Sequence, residues 1–127
     1  MTSCPLPVKN LEPADRLIFK RPGIQDKLMD KLRRGHIAIE RQIDLHGLTV
    51  VDTQAALGRF LIHCRQQNIH CVRIIHGKGR GSPDGKPVIK NELNHWLQKH
   101  PEVLAFCSAP PHDGGTGAIY VLLRNTK

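Results

Sequence analysis

Two β-prone runs separated by one amphipathic helical stripe constrain this chain more than anything else in it. Ile43 and Leu45 alternate with Asp44 and His46, the period of two expected of a strand with one buried face. Cys71 to Ile75 is a second, β-branched run. Between them Leu57, Phe60, Leu61 and Cys64 recur at helical spacing, behind a Thr49-x-x-Asp52 capping box and ahead of Asn68 as a terminator. A strand, a helix and a strand in succession make a right-handed crossover between parallel neighbours.

The pattern continues downstream. Ile89, Leu93, Trp96 and Leu97 mark a second helix that Pro101 ends. Val103 to Ala109 and Ala118 to Arg124 read as two further strands, antiparallel to each other and joined by the glycine-rich stretch from Pro110 to Gly117. Upstream, Ile24, Leu28 and Leu32 outline a short helix with Gly35 as its stop, and Lys27, Lys31, Arg33 and Arg34 lie on its polar side. Residues 1–19, interrupted by Pro5, Pro7 and Pro13, read as a loosely held arm. The expected fold is α/β: a two-layer sandwich built on a β-α-β-α-β-β four-stranded mixed sheet with two helices, plus a short N-terminal helix. Residues 1–39 form a basic arm carrying that helix, and residues 40–127 form the domain proper.

Charge narrows the partners. Nineteen Lys and Arg against eleven Asp and Glu leave a net charge of +8, with a pI near 9.7. The excess is spread over both halves of the chain, which favours a polyanion such as DNA, RNA or the ribosome over a basic tail. No apolar run approaches the roughly 20 residues that span a bilayer, so no membrane partner is expected. No secretory signal opens the sequence, and Cys4, Cys64, Cys71 and Cys107 show neither C-x-x-C nor zinc-ribbon spacing. A reduced, cytoplasmic protein follows.

Chemistry concentrates at two histidine-glycine pairs, each at the end of a strand. Asp44 and His46 share the polar face of the first strand, with Gly47 next in the chain. His76-Gly77-Lys78-Gly79-Arg80-Gly81 follows the second strand and combines backbone N–H groups with cations, the makings of a phosphate cradle. Parallel strands set their C-terminal ends side by side, so Asp44, His46 and His76 are expected to surround one pocket. His112, in the glycine loop, could approach the same edge. Acid–base catalysis on a phosphodiester is one use of such a set. A divalent metal held by Asp44, His46 and His76 is another, and a purely structural His76 is a third. Neither a Walker loop nor a dinucleotide fingerprint appears, and no closed metal-site spacing supports the second use, so no cofactor is expected.

Ile43-Asp44-Leu45-His46-Gly47, His76-Gly77-Lys78-Gly79 and Gly114-Gly115-Thr116-Gly117-Ala118, in this order, resemble the signature of the Smr (small MutS-related) domain over residues 40 to 125. The basic lead-in from Phe19 to Arg34 is similar to that of stand-alone bacterial members. The resemblance implies a four-stranded mixed sheet with two helices on one face, and nucleic-acid binding. In many members it implies an endonuclease that nicks DNA or cuts RNA, including mRNA on stalled ribosomes; other members bind without cutting. It makes Asp44 and His46 the catalytic candidates. His76, Gly77, Lys78 and Gly79 become the substrate-phosphate loop, and Gly114, Gly115 and Gly117 its neighbouring wall; the residues themselves add His76 as a third catalytic candidate and Arg80 as a further phosphate contact.

Overall fold

The computed structural model describes residue 11, residues 14–77 and residues 88–124. Its centre is a mixed sheet of five strands in the order β1-β4-β5-β3-β2: β1 (Ile18–Lys20), β2 (Arg41–Asp44), β3 (Cys71–Ile75), β4 (Val103–Ser108) and β5 (Ala118–Leu123). β2 and β3 run parallel, as the crossover requires, and the other neighbours are antiparallel. The helices are α1 (Asp26–Arg33), α2 (Val50–Gln66) and α3 (Val88–Lys99).

Alternation along the strands divides the core in two. Val72, Ile74, Phe106, Ile119 and Val121 meet Leu57, Leu61 and Cys64 of α2 and Leu93 and Leu97 of α3 on one face. Cys71, Ala105, Cys107, Tyr120 and Leu122 meet Met29 and Leu32 of α1 on the other. Each fully buried Leu, Ile or Phe contributes about 1.5–3 kcal/mol of apolar transfer. Both faces of β4 and β5 are therefore covered, which is why all six residues of β5 are buried.

Two features depart from the expected four-stranded, two-layer sandwich. Ile18 to Lys20, overlapping the loose arm expected over residues 1–19, pairs antiparallel with β4 as a fifth, edge strand. Three residues suffice there because Phe19 stacks on Phe106 at a ring separation of 5.2 Å. The Arg21 side chain beyond it donates to the Gln98 and His100 carbonyls at 2.9 and 2.8 Å, closing the C-terminal end of α3. Second, α1 is a third layer, covering the face that α2 and α3 leave open.

The local signals act as read. Thr49 Oγ1 accepts the Asp52 N–H at 3.1 Å to start α2. Asn68, at φ 54°, ends it. Among the described residues no helix is long and apolar enough to cross a membrane.

Candidate functional site

The site is built where β2 and β3 end together. Their register sets Gln42 beside Arg73 and Asp44 beside Ile75. β3 and β5 extend each row, placing Arg73 beside Tyr120 and Ile75 beside Ala118. Ile43 and Leu45 point into the core under α2 and α3. Asp44 and His46 consequently take the other face, on which α1 packs mainly over β4 and β5.

Asp44 and His46 form one unit. The His46 ring Nδ1 lies 2.6 Å from Asp44 Oδ1, and the His46 backbone N–H donates to the same oxygen at 3.1 Å. Both side chains are more than half exposed. The hydrogen bond from the His46 ring, then that from its backbone, hold the Asp44 carboxyl below the usual carboxylate range. An ionised carboxylate accepts only, so Nδ1 carries a proton, and in the neutral ring the lone pair is left on Nε2. Gly47, at φ 78°, turns the chain away directly afterwards.

His76 has different surroundings. It continues the alternation of Val72 and Ile74 into the interior and is 4% exposed. Its Nδ1 lies 2.6 Å from the Gly77 carbonyl oxygen, whereas the buried Nε2 finds no hydrogen-bond partner among the described residues. Burial first, and then the positive field of Lys90, lower its pKa to about 4 against the opposing effect of the Gly77 hydrogen bond. The ring is therefore neutral at physiological pH. The structure thus joins Asp44 to His46 at the surface and sets the second imidazole inside.

What bridges the two segments is Gly77. Its φ is +80°, and a Cβ added there would lie 3.3 Å from the His46 Cβ. The N–H groups of His76 and Gly77 both donate to the Gly117 carbonyl at 3.0 Å, tying this turn to the glycine loop. Gly114 must be glycine, because at φ +114° a Cβ would sit 2.7 Å from the Ala118 Cβ. Gly115 also adopts positive φ, and Gly117 is buried. Beside them opens a cleft of about 310 Å³, lined by Gly77, Gly114 and Gly117 together with Arg73, Ile75, Asp113 and Ala118. His112 is exposed on the turn Pro111–Asp113. Lys78, Gly79 and Arg80 lie outside the described residues. Among the described residues no group of three or more His, Cys, Asp or Glu side chains is arranged to hold a metal.

Sequence reasoning passed over the residues that secure this wall. Arg73 pairs with Asp113 and donates to Gln42 Oε1 at 2.6 Å, while the Tyr120 hydroxyl donates to the other Asp113 oxygen. Burial, and next the Asp113 carboxylate, push the Tyr120 hydroxyl's pKa upward, so it stays a donor. The available signal was a lone arginine inside the apolar run Cys71–Ile75, which a buried strand tolerates only when paired. Lys90, 1% exposed, was missed too, although it precedes Leu93 and Leu97 at helical spacings of three and seven. Its ammonium donates to the Asp15 carbonyl.

A family model described as the Smr domain matches residues 43–124. A ribosome rescue factor SmrB of Yersinia pestis is 38% identical over 105 residues, covering 83% of this chain and 56% of its own. The chain thus spans little more than half the length of the curated relatives it matches. Among solved structures, the stand-alone small MutS-related protein YdaL of Escherichia coli superposes with a TM-score of 0.79 at 31% identity, over 93% of this chain and 90% of its own. The Smr domain of Thermus thermophilus MutS2 gives a TM-score of 0.59 at 31% identity, over 66% of this chain and 98% of its own.

Proposed function

The chain belongs to the Smr domain family, and on that footing we propose that it is a nucleic-acid endonuclease whose working group is the Asp44–His46 pair. The observation that carries the reading is the 2.6 Å contact between the two side chains in an exposed position at the strand ends. A carboxylate that fixes the tautomer of an imidazole leaves the outer nitrogen as a general base. On RNA, His46 Nε2 takes the proton of a 2′-hydroxyl, whose oxygen attacks the adjacent phosphorus. The bond from phosphorus to the 5′-oxygen breaks, and that oxygen takes a proton from solvent. On DNA, water replaces the 2′-hydroxyl as nucleophile.

The remaining site residues serve this pair. Gly77, Lys78, Gly79 and Arg80 receive phosphate oxygens, together with Gly114, Gly115 and Gly117. His76, expected among the catalytic residues, acts instead as a positioning residue from the interior: its ring N–H holds the Gly77 carbonyl and so fixes the turn beside His46. The net charge of +8 favours nucleic acid as partner. The name of the Yersinia pestis relative extends the proposal to nucleic acid on the ribosome. Such a partner would place the protein in the cytoplasm.

A second reading, a non-catalytic DNA-, RNA- or ribosome-binding adaptor, is favoured by one observation. With the His76 ring buried, a single imidazole of the predicted set reaches solvent. Incubating the protein with supercoiled plasmid and with single-stranded RNA, beside the Asp44→Ala/His46→Ala variant, decides between them. Cleavage by the wild type and its loss in the variant is the expected result. Tight binding with no cleavage of either substrate establishes the adaptor instead. A parallel arm with EDTA tests whether Asp44 and His46 instead hold a divalent ion, whose chemistry there would be Lewis-acid polarisation of the phosphate.

A further inference from the structure

We propose that the cleft between β3 and the 114–117 loop seats one unpaired nucleobase of the strand, beside the phosphate that the Asp44–His46 pair addresses. This deepens the endonuclease reading and rests on it for the position of that phosphate.

Three features of the cleft suit a flat heterocycle. Its floor is the register pair Ile75 and Ala118, a short apolar strip on the sheet face. Gly77, Gly114 and Gly117 also line it and carry no side chains, so a planar ring can approach their backbone closely. At one end stand the Arg73 guanidinium and the Asp113 carboxylate, each between a fifth and a third exposed. Already paired with each other, with Gln42 and with Tyr120, they keep further guanidinium N–H groups and carboxylate lone pairs for a base edge that offers an acceptor and a donor. The volume of about 310 Å³ admits one base with part of its sugar.

Position supplies the remaining argument. Asp44 is the register neighbour of Ile75 on the adjoining parallel strand, about 4.8 Å away across the sheet. Gly77 lines the cleft and also lies beside His46, whose Cβ a side chain on the glycine would meet at 3.3 Å. A base resting on Ile75 and Ala118 therefore has its backbone leave the cleft past Gly77, at the imidazole. A base inside a duplex is covered on both faces by its neighbours and reaches such a floor only after leaving the stack. The site accordingly selects single-stranded segments, or duplexes able to extrude a nucleotide.

An abasic walk tests this with the intact chain. A fluorescein-labelled single-stranded RNA, and the DNA of the same sequence, is made with each nucleotide in turn replaced by an abasic analogue that keeps sugar and phosphate. Affinity is read by anisotropy. One abasic position should weaken wild-type binding by about fivefold or more, the others little, and the fully paired duplex should bind more weakly than the single strand. Ile75→Phe, which fills the part-exposed floor, should remove that position dependence. A 2-aminopurine placed at the sensitive position should change fluorescence on wild-type binding, a readout independent of any variant. Equal affinity for every abasic strand, failure to bind single strands, or duplex binding as tight as single-strand binding overturns the proposal. If the position dependence appears but no strand is ever cut, the pocket stands and the endonuclease reading falls. Cleavage indifferent to every abasic position has the opposite meaning.

Discussion

Gly77 leaves the room that His46 occupies: a Cβ on the glycine would stop 3.3 Å from that of the histidine, at a backbone φ of +80°. Gly23 has a similar φ of +96° with nothing within 4 Å. Replacing either by alanine strains the backbone by about 1–2 kcal/mol, but only Gly77→Ala also displaces the imidazole. Thermal melts should show comparable losses for the two variants, whereas cleavage should fall by an order of magnitude or so in Gly77→Ala alone. Equal activity in both would mean that the contact has no bearing on the chemistry.

The buried His76 makes stability depend on acid. Its folded-state pKa is about 4 against an ordinary value of 6.5, because burial penalises the charged ring. Between those values the unfolded chain binds the proton and the folded chain does not. Stability is therefore complete above about pH 6.5, declines as pH falls through the window, and has lost about 3 kcal/mol once pH is below 4. Urea unfolding of wild type and His76→Gln across this range measures the difference. The pH dependence of the gap between the two should follow that window; a constant gap would show that the ring titrates normally in the folded protein.

Arg73, Asp113 and Tyr120 brace the glycine loop against β3. Arg73→Met leaves a part-buried carboxylate with one partner fewer and should cost about 3 kcal/mol, while Tyr120→Phe removes one hydrogen bond for about 1 kcal/mol. The double variant Arg73→Met/Asp113→Leu should recover part of the first loss, since no unpaired charge remains. Strict additivity in denaturant melts would argue that the pair is not coupled.

Legibility followed periodicity. Asp44 and His46 were assigned to the polar face because Ile43 and Leu45 fix the parity of β2, and the same parity sets them outside the core. For β3 the parity of Val72 and Ile74 carries His76 inward, a consequence that the attraction of two strand-end histidines obscured. β1 is too short for a period to show, and only its pairing with β4 makes it a strand. Lys90 sits at a core position of α3 by spacing, yet its charge argues for the surface until a carbonyl partner is visible. The Arg73–Asp113 pair spans forty residues of sequence, a separation across which no local pattern connects the two. Glycines were the most informative single residues, since Gly35, Gly47, Gly77, Gly114 and Gly115 all adopt positive φ where turns were read.

The most direct test of the Asp44–His46 pair separates binding from chemistry. Single-turnover cleavage of a single-stranded RNA is compared between wild type, His46→Ala and Asp44→Asn, with the affinity of each measured on the same strand. Because both side chains are more than half exposed, the variants should melt within about 0.5 kcal/mol of wild type. They should bind within a few-fold, while the cleavage rate drops by about 10²–10⁴. A rate that survives removal of the imidazole, or a rate loss matched by an equal loss of affinity, would contradict the assignment.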